Sequence, residues 1–63
     1  MELLDIKEYG KYIKKRREEI GLSQVQLSAK SGVSLSTLTQ IEQLARKDIR
    51  IKTLNKILKS LEN

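Results

Sequence analysis

The chain is short and basic. It has 63 residues, of which 38% are apolar and 33% charged, and its 13 Lys and Arg residues exceed its 8 Asp and Glu residues to give a net charge of +5. It has no Cys and no His, which excludes disulfides, zinc-finger sites, thiol nucleophiles and imidazole bases. A chain of this length holds one small core, so we expect residues 1–63 to form a single domain of modest stability.

The positive charge favours a polyanionic partner, because basic surfaces attract phosphates and release their counterions. No pair of carboxylates and no nucleophile with a base can be assembled from these residues, so we expect no enzyme, no metal, no cofactor and no small-molecule ligand. No apolar run approaches the roughly 18 residues that span a bilayer, and the first residues lack the order of a signal peptide. We therefore expect a cytoplasmic protein without membrane contact.

The first predicted helix covers about residues 6–20. Asp5 and Glu8 have the spacing of a capping box at its start, and Gly21 ends it. Its apolar stripe consists of Ile6, Tyr9, Ile13 and Ile20. At 100° per residue Arg17 falls in the middle of this stripe, where a solvated cation is not expected. Arg17 therefore needs a partner.

A second, shorter helix begins after Ser23, with Gln26 at the capping-box position. We expect it to close near Lys30, before Gly32 supplies a left-handed turn residue. The residues expected to face inward are Leu22, Leu27 and, in part, Val25.

Ser34 can cap a third helix that ends at about Glu42 or Leu44. Leu38 and Ile41 define its inner face, and Glu42 lies at the edge of that face. The opposite face carries Ser36, Thr39, Gln40 and Gln43.

A charged connection then leads to a fourth helix over about residues 52–61. Its predicted apolar stripe is Ile51, Leu54, Ile57, Leu58 and Leu61, and its outer face carries Lys52, Lys56 and Lys59. With no strand pattern elsewhere, the sequence predicts an all-α fold, a compact bundle of four short helices.

The second and third helices have the spacing of a helix-turn-helix. They are separated by about three residues that include Gly32, and the second of the two begins at a Ser cap. In this motif the second helix enters the major groove of DNA. The apolar positions of the motif are occupied by Leu27, Val33, Leu38 and Ile41, and small Ser28 stands where the two helices cross.

Three stretches together resemble the Cro/repressor (XRE) helix-turn-helix family, whose fold is lambda-repressor-like. They are YIKKRREEIGLSQVQLSAKSGVS, STLTQIE and IKTLNKILKSL, within residues 9–61. The resemblance implies a transcriptional regulator, a repressor, that binds double-stranded DNA. Family members usually bind palindromes as homodimers, and for this chain we expect a homodimer that is weak or that forms only on DNA.

The resemblance also implies the site residues. Base contacts fall on Leu35, Ser36, Thr39, Gln40 and Gln43. Phosphate contacts fall on Gln24, Ser34 and the connection after the third helix. The cations of that connection, with the first Lys of the fourth helix, are our candidates for these contacts: Arg46, Lys47, Arg50 and Lys52. In the family the first-helix Arg commonly pairs with the Glu that ends the recognition helix, which implies a partly buried ion pair between Arg17 and Glu42.

This chain departs from the family pattern at three places. It has Leu44 where many members have Gly, Ser28 where many have Ala, and Ile49 or Arg50 where many have Pro. We expect Leu44 to lengthen the third helix by a turn.

The third helix also lacks Arg and Lys, so amides, hydroxyls and methyl groups must supply its base contacts. Gln40 is the candidate for a bidentate contact to adenine, and Thr39 or Leu35 for contact with a thymine methyl. The sequence therefore favours A·T-rich sites.

Other interpretations remain open on sequence alone. The same bundle could serve as a protein-interaction subunit, such as the antitoxin of a toxin pair, with DNA binding secondary. An RNA-binding or membrane-surface bundle would predict a continuous cationic stripe, whereas these cations are scattered over the first and fourth helices. Without its context, the polar face of the third helix would be interpreted as an ordinary solvated surface. We interpret most of the basic run at residues 14–17 as solvated surface too.

Overall fold

The computed structural model describes residues 6–45 and 48–62, and this part of the chain contains four helices and no strand. They are α1 (Ile6–Glu19), α2 (Gln24–Ser31), α3 (Leu35–Glu42) and α4 (Ile51–Ser60). The predicted all-α class is confirmed, and each predicted helix is present with ends shifted by a residue or two. Asp5, the predicted cap of α1, lies outside the described residues.

Helix α2 begins and ends as its local sequence predicts. The Ser23 hydroxyl accepts a hydrogen bond from the Gln26 N–H at 3.0 Å, and the Ser23 N–H donates to Gln26 Oε1 at 2.8 Å. These two bonds complete the predicted capping box and satisfy amides that the helix leaves free. At the other end Gly32 has a φ of +76°, and its N–H donates to the Ser28 carbonyl at 3.0 Å.

Helix α3 begins at the predicted cap but ends earlier than Leu44 suggested. The Ser34 hydroxyl accepts from the Thr37 N–H at 3.2 Å. Leu44 does not lengthen the helix, so that expectation is wrong. It has a φ of +60°, and the Ala45 N–H closes back on the Gln40 carbonyl at 2.9 Å. This closure is a Schellman motif with Leu at the position that glycine usually takes.

The core lies where the helices meet and is aliphatic. Helix α1 packs against α3, and α2 packs against both α3 and α4. The most deeply buried residues are Ile13, Leu27, Leu38, Ile41 and Ile57, with Val33, Leu54 and Leu61 around them. Since α1 and α2 both pack on α3, the inner side of α3 is covered and its outer face is left to solvent.

Two predicted core positions are wrong. Val25 is 63% exposed, because it lies 200° around α2 from buried Leu27 and so faces the opposite side. Ile51 is 65% exposed. Ile49, from the segment before α4, packs against the core.

Candidate nucleic-acid interface

The outer face of α3 carries the side chains predicted to contact bases. Ser36, Gln40 and Gln43 are exposed, Leu35 is 41% exposed, and Thr39 is half-buried. Residues three and four apart share one face of a helix, so the structure brings four of the five onto a single surface. Leu35, in the first turn, lies at its rim. Gln43 is the C-cap residue rather than part of the helix.

The charge on α3 is confined to Glu42, which is turned inward and buried. The helix contains no Lys or Arg. The surface that it presents is therefore made of amides, hydroxyls and methyl groups, which can donate or accept hydrogen bonds without the strong repulsion that an exposed carboxylate would give near phosphates.

Arg17 and Glu42 form the ion pair that the family resemblance implied. Arg17 Nε donates to Glu42 Oε2 and Arg17 Nη2 donates to Glu42 Oε1, both at 2.8 Å. The remaining nitrogen, Nη1, donates to the Leu22 carbonyl at 2.8 Å. Each residue is only 8% exposed. All three guanidinium nitrogens are thus bonded, so the buried charge is both paired and satisfied.

The carboxylate of Glu42 also governs the protonation of its partner. Its hydrogen bonds with Arg17 raise the pKa of Arg17, and this outweighs the opposite effect of burial. The arginine is therefore charged at any pH at which the protein would be handled. The pair joins α1 to the end of α3 and neutralises the carboxylate there.

Gln24, a predicted phosphate contact, lies beside this pair. Its side-chain Nε2 donates to Glu42 Oε1 at 3.1 Å, and the side chain is half-buried. Glu42 therefore orients the Gln24 amide at the first residue of α2. A phosphate contact by Gln24 stays a prediction.

The other predicted phosphate contacts are distributed over two helix starts. Ser34 is exposed at the cap of α3, where its hydroxyl donates to Thr37 Oγ1 at 2.9 Å. Arg50 is exposed at the start of α4 and Lys52 is exposed in its first turn. Arg46 and Lys47 lie outside the described residues.

A polar surface depression joins these two helix starts. Its lining residues are Thr37, Asp48, Ile49, Arg50 and Thr53. Thr37 belongs to the first half of α3 and Arg50 to the start of α4, so the fold brings the recognition helix and a cation of the following connection to the same side of the molecule. Thr37 and Thr53 were not among the predicted site residues.

Gly10 is a structural residue that the sequence analysis missed. A Cβ placed on it would lie 2.5 Å from the Ile41 carbonyl oxygen and 2.7 Å from Leu44 Cδ2. Any residue with a Cβ at position 10 would therefore collide with the end of α3. Glycine at this position permits α1 to approach α3 this closely. The available signal was a glycine inside a predicted helix, which costs roughly 1 kcal/mol relative to Ala and so calls for a packing reason.

The described part of the chain has neither a metal-binding cluster nor a membrane-spanning helix. Residues 6–45 and 48–62 contain no cluster of three or more side chains that could hold a metal ion. Among the helices formed by these residues, none is sufficiently long and apolar to cross a membrane.

Comparison with known proteins gives one positive result. A family model described as helix-turn-helix matches residues 13–62, which is most of the chain. No curated protein and no solved structure gives a significant match. The matched range runs from the middle of α1 through α4 and includes the Arg17–Glu42 pair and the exposed face of α3. The chain therefore belongs to the Cro/repressor-type (XRE) helix-turn-helix family of DNA-binding transcription regulators, which is not a family of enzymes.

Proposed function

We propose that this domain binds double-stranded DNA sequence-specifically by inserting α3 into the major groove, and that it acts as a repressor. One observation carries the proposal. The outer face of α3 is exposed and uncharged, while Glu42, the acidic residue of that helix, is neutralised by Arg17 at 2.8 Å. Such a surface can enter a groove lined by phosphates and still present hydrogen-bonding groups to base edges.

The base contacts are made by uncharged side chains. Gln40 forms a bidentate pair with adenine, which contributes about 1 to 3 kcal/mol of discrimination, and a methyl group of Thr39 or Leu35 packs on a thymine methyl. Ser36 and Gln43 complete the contact surface. Amide, hydroxyl and methyl groups favour A·T-rich half-sites, whereas Arg side chains typically contact guanine.

Phosphate contacts position the domain. The N-terminal amides of α2 and α3, with the side chains of Gln24 and Ser34, bind phosphate oxygens at two helix starts. The other phosphate contacts are made by four basic side chains, Arg46, Lys47, Arg50 and Lys52. The exposure of Arg50, which lines the polar depression, and of Lys52 in the first turn of α4 supports this assignment. Each phosphate neutralised contributes about −0.9 to the slope of log affinity against log salt.

Two copies occupy a palindromic site. Helix-turn-helix proteins place their recognition helices about 34 to 36 Å apart, one turn of DNA. We propose that the homodimer forms on DNA, and that binding at a promoter blocks transcription.

Selection of bound duplexes from a random pool, at two salt concentrations, tests the proposal. We expect an enriched A·T-rich palindrome whose consensus survives at the higher salt. Gln40→Ala is expected to relax the preference at one position of each half-site. Asn55→Ala is the matched control, because it removes an exposed amide from α4 instead of α3.

Two results would contradict the proposed function. The first is equal enrichment of all sequences by the wild-type protein. The second is an unchanged consensus for Gln40→Ala, which would show that α3 does not contact those bases through this residue.

A further inference from the structure

Two serines of α2 hold the backbone of the residue that precedes the recognition helix. The Ser28 hydroxyl donates to the Val33 carbonyl at 2.6 Å, and the Val33 N–H donates to Ser31 Oγ at 3.2 Å. The Ser31 hydroxyl in turn donates to the Ser28 carbonyl at 3.5 Å. We call this arrangement the serine clasp, consisting of Ser28, Ser31 and the backbone of Val33.

The clasp acts where the helices leave backbone groups without partners. Val33 lies between the end of α2 and the Ser34 cap of α3, so its N–H and carbonyl are outside both helical ladders. Buried backbone groups require hydrogen bonds, and here two side chains of α2 supply them. Gly32 provides the left-handed turn, but a glycine turn by itself does not determine the direction in which the next helix leaves.

Val33 is fixed by its side chain as well. The side chain belongs to the core and is 7% exposed. With the side chain packed below and both backbone polar groups bonded to α2, the residue before the cap has little freedom to rotate. The direction of α3 relative to α2 is therefore set at Val33, the residue before the α3 cap.

A small rotation at this point would be felt where bases are contacted. Gln40 lies seven residues after Val33, a distance of roughly 10 Å along a helix at 1.5 Å per residue, so a tilt of about 6° displaces it by about 1 Å. Bidentate contacts depend on placement within about 0.5 Å. Loss of the clasp would thus weaken base recognition while leaving the phosphate-binding cations in place.

We propose that Ser28 and Ser31 are positioning residues that set the angle between α2 and α3, and thereby align Thr39 and Gln40 with their base pairs. The effect on DNA recognition rests on the proposed function. The effect on the helix angle does not, and can be measured in the free protein.

The first experiment measures that angle. Residual dipolar couplings of backbone amides give the relative orientation of α2 and α3 in the wild type, in Ser28→Ala, and in Ser28→Ala with Ser31→Ala. Ser60→Ala is the matched control, since the Ser60 hydroxyl also donates to a carbonyl, that of Lys56 at 2.9 Å, but within α4. We expect a change of about 5° or more in the double variant, a tilt that would displace Gln40 by about 1 Å, and no change in the control.

The second experiment measures recognition. Affinities for the selected duplex and for a scrambled duplex are compared across salt concentrations. We expect the double variant to lose about fivefold to tenfold in the ratio of these affinities, which is the lower range for one bidentate base contact. Its affinity for the scrambled duplex and its salt slope should match the wild type. Ser60→Ala should keep the wild-type ratio.

The outcomes separate the two proposals. An unchanged helix angle in the double variant would overturn the proposal that the serine clasp sets this angle. An unchanged affinity ratio despite a changed angle would overturn the proposal that the clasp aligns the base contacts. An equal fall in the ratio for Ser60→Ala would also overturn it, because the effect would then be one of general stability. If the wild type itself prefers no sequence, the proposed function fails, whatever the helix angle shows.

Discussion

The two ends of the recognition helix are held by different physical means. At its N-terminal end, neutral hydroxyl groups make the bonds, with the Ser34 cap on one side and the serine clasp on the other. At its C-terminal end, a buried ion pair and a close helix approach do so, through Arg17, Glu42 and Gly10.

This difference predicts a division of labour. A neutral hydrogen bond contributes about 0.5 to 1.5 kcal/mol net; at exposed Ser34 water can replace a lost partner, and at buried Val33 the loss of a partner costs about 1 to 3 kcal/mol. A buried charge that loses its partner has no such replacement and costs about 3 to 5 kcal/mol. The C-terminal end of α3 should therefore determine whether the domain folds, and the N-terminal end should determine where the helix points.

The largest expected effect is at the ion pair. Arg17→Met leaves the buried Glu42 carboxylate without its cationic partner, with only the Gln24 amide still bonded to it, and should lower the free energy of unfolding by about 3 to 5 kcal/mol, which is comparable to the whole stability of a domain of this size. Chemical denaturation followed by circular dichroism measures it. Lys14→Met, at an exposed position of the same helix, is the control and should have little effect.

The pairing itself is tested by a double-mutant cycle. Arg17→Met with Glu42→Leu should recover most of the stability, since two apolar side chains can replace a buried pair at little cost. Additive losses, with no coupling between the two sites, would show that the pair does not account for the stability of this end.

Gly10→Ala tests the close approach of α1 to α3. The sign of the change in stability decides whether crowding outweighs the gain in helix propensity. Helix propensity alone predicts a gain of roughly 1 kcal/mol. The Ile41 carbonyl, however, is a backbone atom that cannot move aside, and crowding of this kind costs about 1 to 3 kcal/mol. We expect a net loss of about 1 kcal/mol in thermal or chemical denaturation. A more stable variant would mean that α1 and α3 are not in such close contact.

Ser34→Ala should have a smaller effect, at the other end of the helix. Loss of an N-cap hydroxyl typically costs about 1 kcal/mol. Ser36→Ala, two residues further along the same helix, removes a hydroxyl that caps nothing and should be neutral or slightly stabilising. Equal losses for the two variants would remove the distinction between cap and surface serine.

No effect is expected from moderate alkali on the ion pair. The pKa of Arg17 is raised in the folded protein by its hydrogen bonds with Glu42. Its contribution to stability is therefore fully present below the ordinary arginine pKa and is lost only as the pH rises through the raised value. The coupling energy of the Arg17–Glu42 cycle should be the same at pH 7 and pH 9. A marked fall over that interval would contradict this account of the pair.

Features that depend on neighbouring residues in the sequence were predictable. Ser23 and Ser34 cap their helices as expected, because capping needs only a hydroxyl and an amide two or three positions away. Helical periodicity located most of the core and identified Arg17 as out of place in an apolar stripe. Its partner Glu42 came from family resemblance and not from periodicity.

Features set by the packing of distant segments were not predictable. Leu44 adopts a left-handed conformation while its side chain lies over Gly10, and neither fact is contained in the local pattern. Ile49 packs against the core whereas Ile51 is exposed, because the path of the segment before α4 decides which residue reaches the core. The hydroxyl of Ser28 bonds across the turn, whereas the sequence suggested only that a small residue was needed there.

Nuclear magnetic resonance of the protein bound to its selected duplex tests the central claim most directly. If α3 lies in the major groove, nuclear Overhauser effects should connect methyl groups of Thr39 or Leu35 to a thymine methyl, and the side-chain amide of Gln40 to adenine. Contacts confined to α1 or the outer face of α4, with the signals of α3 unperturbed, would contradict the account.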